Sequence, residues 1–160
     1  QKLQIYKCDS NAISWFSSYL HGRTQTTYFQ GHQSQSTNIT VGVPQGSILG
    51  PLFFILYMNN LPLCISTTNI DMYADDSTVH ASGKTMSKIS GKLKDDIDAV
   101  ASWCDQNRMV LNTQKTKSIL ITTKQRRHHL ENDHLKVSVC GDMLEQVCQD
   151  KLLGVIVDNH

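Results

Sequence analysis

The chain has 160 residues, a formal charge of +1 and 39% hydrophobic residues, a size that suits one domain and excludes a large multidomain machine. Leu, Ile, Val and Phe make up 41 of the 160 residues, enough to bury a core and to exclude a disordered chain. The five cysteines are scattered with no C-x-x-C pair, which argues against a disulfide framework or a zinc site and for reduced intracellular thiols. In chain order, Asp9-Ser10 can cap a helix whose apolar residues Ile13, Phe16 and Leu20 recur at helical spacing, ended by His21-Gly22. Thr24 to Gln30 and Asn38 to Val43 read as a β-hairpin joined by a Gly/Ser/Gln-rich connection. A tight segment from Gly42 to Gly46 leads to a helix from Ile48 to Asn60, with Ser47 as its cap and Pro51 in its first turn. Asn69 to Tyr73 and Ser77 to Ala81 face each other as strands across Ala74-Asp75-Asp76. Thr85 to Arg108 is the clearest helix, with Met86, Ile89, Leu93, Ile97, Val100 and Cys104 on one stripe. Strands are expected at Met109 to Asn112, Ser118 to Thr122, Leu135 to Val139 and Leu152 to Val157, with a polar, mobile loop from Lys124 to His134. Hairpins and helices in irregular alternation predict an α+β fold with an antiparallel sheet packed on helices.

No basic start followed by an apolar run opens the chain, so no secretory signal is expected. The longest apolar stretch, Ile48 to Leu63, is broken by Gly50, Pro51, Asn59 and Asn60, and is too short and polar to span a bilayer. Beginning at Gln1, in what looks like the middle of an element, the chain reads as an intracellular piece cut from something longer. The near-neutral total hides a local feature. From Arg108 to Arg127 six basic residues (Arg108, Lys115, Lys117, Lys124, Arg126 and Arg127) occur with no acid. Such a segment is either a solvated basic face or a footprint for phosphates.

Three further places could carry chemistry. Asp75 and Asp76 are adjacent carboxylates at a hairpin apex, a repulsive arrangement that a divalent cation relieves. Because neighbouring strand residues point to opposite faces, Asp75 is expected as the primary ligand and Asp76 as its partner at the turn. A bare acidic doublet is far more often a solvated turn. Gly42-Val43-Pro44-Gln45-Gly46-Ser47 combines backbone freedom with a stiff proline, and Gln45 offers a donor and an acceptor to a base or sugar edge. An ordinary loop before a buried helix is the plainer reading of that segment. Lys115, inside the basic segment, could reach a triphosphate or give a proton to pyrophosphate, although an exposed loop lysine is commoner.

Together these pieces resemble one family. Val41-Gly42-Val43-Pro44-Gln45-Gly46-Ser47-Ile48-Leu49-Gly50-Pro51, then Tyr73-Ala74-Asp75-Asp76, then Leu111-Asn112 with Lys115-Thr116, then Leu152-Leu153-Gly154-Val155 stand in the order found in reverse transcriptases of non-long-terminal-repeat retrotransposons. Trp15-Phe16, Tyr19-Leu20, Gly22-Arg23 and Gln25 resemble that family's run upstream of the Pro-Gln-Gly segment. The resemblance covers nearly the whole chain, from about Leu3 to Asp158.

The resemblance implies a partial polymerase palm over residues 1–160, incomplete at its N-terminus. It implies RNA-directed DNA polymerase activity in a longer parent, with two Mg2+ ions activating the primer hydroxyl and stabilising pyrophosphate. Asp75 and Asp76 would be catalytic and metal-binding, and Lys115 a general acid. Gly42, Pro44, Gln45, Gly46, Tyr73 and Arg23 would contact nucleotide or template, and Leu152, Leu153 and Gly154 would grip the primer. RNA template, DNA primer and deoxynucleoside triphosphates would be the partners, with fingers, the first catalytic strand and thumb supplied by the rest of the polyprotein. No membrane partner is implied, and nuclear action would follow from the family's target-primed integration. The family's other aspartate has no counterpart here: before Asp71 the only acid is Asp9. A catalytically inactive palm remnant, binding nucleic acid or nothing, is therefore the alternative.

Overall fold

The computed structural model describes residues 2–44, 46–123, 125–126 and 135–159. Most of the expected loop from Lys124 to His134 lies outside the described residues. The chain divides into two units, residues 1–59 and 60–160.

In the first unit, α1 (Lys2–Ile5) is followed by α2 (Ser10–Leu20), whose predicted cap is formed: the Asp9 carboxylate accepts the Asn11 amide at 3.2 Å. The helix α3 (Leu49–Met58) begins one residue later than expected, so Ile48 and not Ser47 takes the cap position; Ser47, one residue before it, accepts the Gly50 amide on its Oγ at 2.9 Å. Aromatic rings join α2 to α3, with Phe16 edge-on to Phe53 at 5.1 Å. Lys2 lies over the Tyr57 ring and donates to the Tyr57 carbonyl at 2.5 Å, a cation set at the C-terminal end of α3. The hairpin between these helices folds back sooner than the composition suggests. Strand β1 (Thr24–Gln25) pairs with β4 (Thr37–Asn38), and β2 (Tyr28–Phe29) with β3 (His32–Gln33). Gln30-Gly31, both at positive φ, makes the turn, so the stretch read as a connection is the returning strand.

The second unit opens with a 3-10 helix (Leu61–Cys64) packed on α4 (Met86–Gln106). Between them β5 (Asn69–Tyr73) pairs antiparallel with β6 (Asp76–His80). The predicted stripe of α4 faces the core: Leu93 packs with Leu135, Val137, Val139 and Leu144, and Val79 of β6 joins them. Burying these side chains, at about 1.5–3 kcal/mol each, is the main stabilising term of this unit. Past the last helical residue, Gln106, Arg108 takes the left-handed φ of 54° and the Met109 amide turns back to the Cys104 carbonyl at 2.8 Å. That closure diverts the chain, and the strand expected at Met109 to Asn112 is not formed.

Short strands complete the unit: β7 (Lys117–Ile119), β8 (Ser138–Val139), β9 (Asp142–Met143), β10 (Glu145–Val147), β11 (Gln149–Leu152) and β12 (Val155–Asp158). The single strand expected over Leu152 to Val157 is instead a hairpin, because Leu153-Gly154 turns the chain. The fold is α+β, but the expected antiparallel sheet is not continuous. The described strands form six two-stranded ladders, and β7 with β10 is parallel. Among the described residues no helix is long and apolar enough to cross a membrane.

Candidate functional site

Register decides what the β5–β6 hairpin presents. Tyr73 stands opposite Asp76, Asp71 opposite Thr78 and Asn69 opposite His80, and these six share one face. Ile70, Met72 and Val79 lie on the other face and are partly buried. The turn is only Ala74-Asp75, so Asp76 begins β6 and does not sit at the apex as expected. Ala74 takes φ 53°, a left-handed value that costs an alanine about 1 kcal/mol. Asp75 thus stands at the tip and Asp76 on the outward face beside Tyr73, which is 67% exposed. Both carboxylates are exposed, and neither takes a hydrogen bond or ion pair from a described residue. Further along the same face, the Asp71 carboxylate meets His80 Nε2 at 3.1 Å.

Two unshared carboxylates offer the hard oxygen donors that Mg2+ takes together with substrate phosphates and water. Among the described residues no group of three or more His, Cys, Asp or Glu side chains could hold a metal. The donor chemistry therefore suits Mg2+ only with ligands added to this pair.

The Gly42–Gly46 segment and Arg23 belong to the first unit, and the remaining expected site residues to the second. Gly42 and Gly46 have φ 83° and 77°, and the Pro44 carbonyl accepts the Ser47 amide at 3.3 Å. Gly50 closes under this turn: a Cβ there would stand 3.1 Å from Ser47 Oγ and 3.4 Å from the Pro44 carbonyl oxygen. Gln45 lies outside the described residues. Arg23 is engaged locally. Its Nη1 donates to the Tyr19 carbonyl at 3.4 Å, and its guanidinium lies 5.5 Å from the Tyr19 ring centre. Tyr19 in turn stacks on Trp15, with centroids 5.8 Å apart and planes inclined by 7°.

Lys115 sits in a turn whose backbone is held by Asn112: the Lys115 amide donates to Asn112 Oδ1 at 3.1 Å, and the Thr116 hydroxyl to the Asn112 carbonyl at 2.8 Å. Its side chain is exposed. Leu152 ends β11, and Leu153 and Gly154 form the β11–β12 turn at φ 49° and 88°, all three exposed. Of the basic segment, Lys124 and Arg127 lie outside the described residues. Lys117 is 3.8 Å from the Asp150 carboxylate.

One residue that orders this region does not stand out as a motif. Asp96, on α4, is 2% exposed. Its carboxylate accepts the amides of Ser66, Thr67 and Thr68 at 3.0, 2.8 and 2.7 Å, and the Thr67 hydroxyl at 2.9 Å. Burial pushes its pKa up, but the Ser66 and Thr67 amides and the threonine hydrogen bonds outweigh burial and hold it far below the usual carboxylate range. It fastens the loop that delivers β5. The available signal was spacing: Asp96 lies three residues after Leu93 and four before Val100, on the buried stripe.

A family model described as reverse transcriptase (RNA-dependent DNA polymerase) matches residues 1–157. The chain is 26% identical over 148 residues to the RNA-directed DNA polymerase from mobile element jockey of Drosophila melanogaster, covering 88% of this chain and 16% of that protein. The jockey counterpart of Drosophila funebris is 28% identical over 165 residues, with 96% and 17% covered. The probable RNA-directed DNA polymerase from transposon BS of Drosophila melanogaster is 28% identical over 150 residues, with 89% and 16% covered. The chain spans about a sixth of the length of these relatives. No solved structure matches.

Proposed function

This chain belongs to the reverse transcriptase family, and on that premise we propose that it is palm sequence of an RNA-directed DNA polymerase, acting within a longer polypeptide on an RNA template, a DNA primer and deoxynucleoside triphosphates. The observation that carries this reading is the pair of exposed, unpartnered carboxylates at the β5–β6 tip. Asp75 and Asp76 would hold Mg2+ there. The bound cation would supply charge stabilisation for in-line displacement and acidify the primer hydroxyl. Tyr73, on the face of Asp76, supports the end of the primer or the incoming nucleotide. Lys115 donates a proton toward pyrophosphate, and Gly42, Pro44, Gln45 and Gly46 contact nucleotide or template. Leu152, Leu153 and Gly154 hold the primer strand.

A second reading, an inactive palm remnant, is favoured by one observation: no third carboxylate joins the pair among the described residues. Primer extension separates the two. With a primed RNA template, Mg2+ and deoxynucleoside triphosphates, the isolated 160-residue chain should show no extension. A longer polypeptide carrying the segment should extend the primer, and Asp75→Ala should abolish that. An inactive longer polypeptide that still binds the template would establish the remnant. Extension by the isolated chain, lost in Asp75→Ala, would overturn the need for further ligands.

A further inference from the structure

A column of three planar groups runs along α2 and past its end, at positions 15, 19 and 23. Trp15 and Tyr19 are stacked nearly parallel, and the Arg23 guanidinium lies over the Tyr19 ring, 5.5 Å from its centre. Phe16 and Tyr19 rest on Phe53 of α3, which ties the column to the unit's interior. The column is held, yet its far end is open: Trp15 is 57% exposed. What sets this indole apart from the chain's other exposed apolar side chains is its alignment with a second ring beside a guanidinium.

Charge narrows what could cover it. Arg23 is the only Lys, Arg, Asp or Glu between Ser10 and Ile70. No carboxylate in that stretch repels a phosphate, and the one cation stands at the end of the stack. Of its five N–H groups, one is engaged at the Tyr19 carbonyl. Aromatic faces take bases of any sequence, and a guanidinium takes the phosphate beside them.

We propose that Trp15, Tyr19 and Arg23 form a stacking platform for single-stranded nucleic acid, in which an unpaired base lies on the outer face of Trp15 and Arg23 meets the backbone phosphate. The proposal rests on the reading that this chain handles nucleic acid, but it needs neither Asp75, Asp76 nor a metal. The platform holds a strand that is not base-paired, since a duplex hides its base faces.

The two tryptophans make the test direct. Trp103 is 8% exposed and provides a constant background, so quenching of emission reports on Trp15. The intact chain is titrated, in EDTA and without nucleotides, with oligouridylate, oligodeoxythymidylate, a duplex and an abasic oligonucleotide of equal length. Both single strands should quench Trp15 emission, whereas the duplex and the abasic strand should not. A preference for oligouridylate would mark the strand as template-like RNA. Read by anisotropy of a labelled oligouridylate, Trp15→Ala should weaken binding at least about fivefold and Trp15→Phe less. Arg23→Gln should lower the salt-dependence slope by about 0.7, one phosphate contact on a single strand. Circular dichroism checks that each variant is folded. Equal binding of the abasic strand, unchanged affinity in folded Trp15→Ala, or self-association of the chain lost in Trp15→Ala would overturn the proposal. Because no extension is measured and no metal is present, failure here leaves the catalytic reading standing, and failure of that reading leaves this one.

Discussion

Among the described residues four hairpins close through two-residue turns, and the one that carries the acidic pair is built differently from the rest. Gln30-Gly31, Cys140-Gly141 and Leu153-Gly154 all place both residues at positive φ with glycine second, the turn whose twist matches its strands. In the β5–β6 hairpin the corresponding residues are Ala74 and Asp75, and only Ala74 is left-handed. Asp75 stands where the other three hairpins have glycine. The left-handed first residue is common to all four, so the difference lies in the second position, where a turn optimised for pairing would not put a carboxylate. The hairpins also differ in support. The β5–β6 hairpin sends Val79 into the core and is entered through the loop that Asp96 grips, while nearly all of β11–β12 is exposed.

The sharpest way to break this comparison is Asp75→Gly, which gives β5–β6 the turn chemistry of the other three. In a longer polypeptide with extension activity, the rate should fall by about three orders of magnitude or more, the scale of a lost metal ligand. The thermal midpoint should stay the same or rise. Extension surviving in Asp75→Gly would make Asp75 a turn residue and nothing else.

Next in size is the support beneath the hairpin. Asp96→Asn leaves three amides facing one acceptor oxygen and should destabilise the chain by about 2–3 kcal/mol in denaturant titration. It should also raise hydrogen exchange in β5 before β7. The pH dependence has a definite sign. The native carboxyl is held far below its unfolded value of about 4, so the unfolded chain takes up the proton first. The stabilisation is complete above about pH 4 and falls away as pH drops below it. Asp96→Asn should therefore flatten the acid limb of the stability curve, and an unchanged limb would show that Asp96 is not the group being titrated.

Asp96 also marks how far residues alone could be read. The helix α4 was legible because six apolar residues keep its period. An aspartate on the same stripe carries no motif, and its partners, the amides of Ser66 to Thr68, are twenty-eight or more residues away. Asp75 and Asp76 stand out in the sequence because they come in order with the Pro-Gln-Gly and Leu-Gly segments, but their division between turn and strand depends on Ala74 accepting a positive φ. The hairpins at Gln30-Gly31 and Leu153-Gly154 were misplaced for one reason. Gln and Leu are not the residues that normally announce such a turn, and the glycine after each was read as part of a strand or loop. Met109 to Asn112 looked like a strand on composition, yet Val110 is 95% exposed and the helix closure at Arg108 sets the path of the backbone.

That turn chemistry supplies a smaller test. Leu153 at φ 49° bears the left-handed cost, and Leu153→Asn would create the Asn-Gly pair favoured in this geometry. A gain of about 0.5–1 kcal/mol is expected. The same gain should appear for Gln30→Asn and not for Asp75→Asn, whose φ is not positive. Equal gains at all three would erase the distinction between the acidic hairpin and the others.

The weakest expected effect concerns what holds β11–β12 in place. Lys117 approaches the Asp150 carboxylate at 3.8 Å with both side chains more than a third exposed, a surface pair of the kind worth about 0–1 kcal/mol. Its geometry is long for a charge-assisted hydrogen bond, so Lys117→Ala should change stability by no more than about 0.5 kcal/mol, and less still at high salt. The β5–β6 hairpin is held by burial and by a carboxylate sheltered from water, and its stability should barely respond to salt. A salt-sensitive loss above about 1 kcal/mol in Lys117→Ala would mean that β11–β12 is docked by charge. The exposed leucines of its turn would then be held in place by that ion pair and not simply by the hairpin's own ladder.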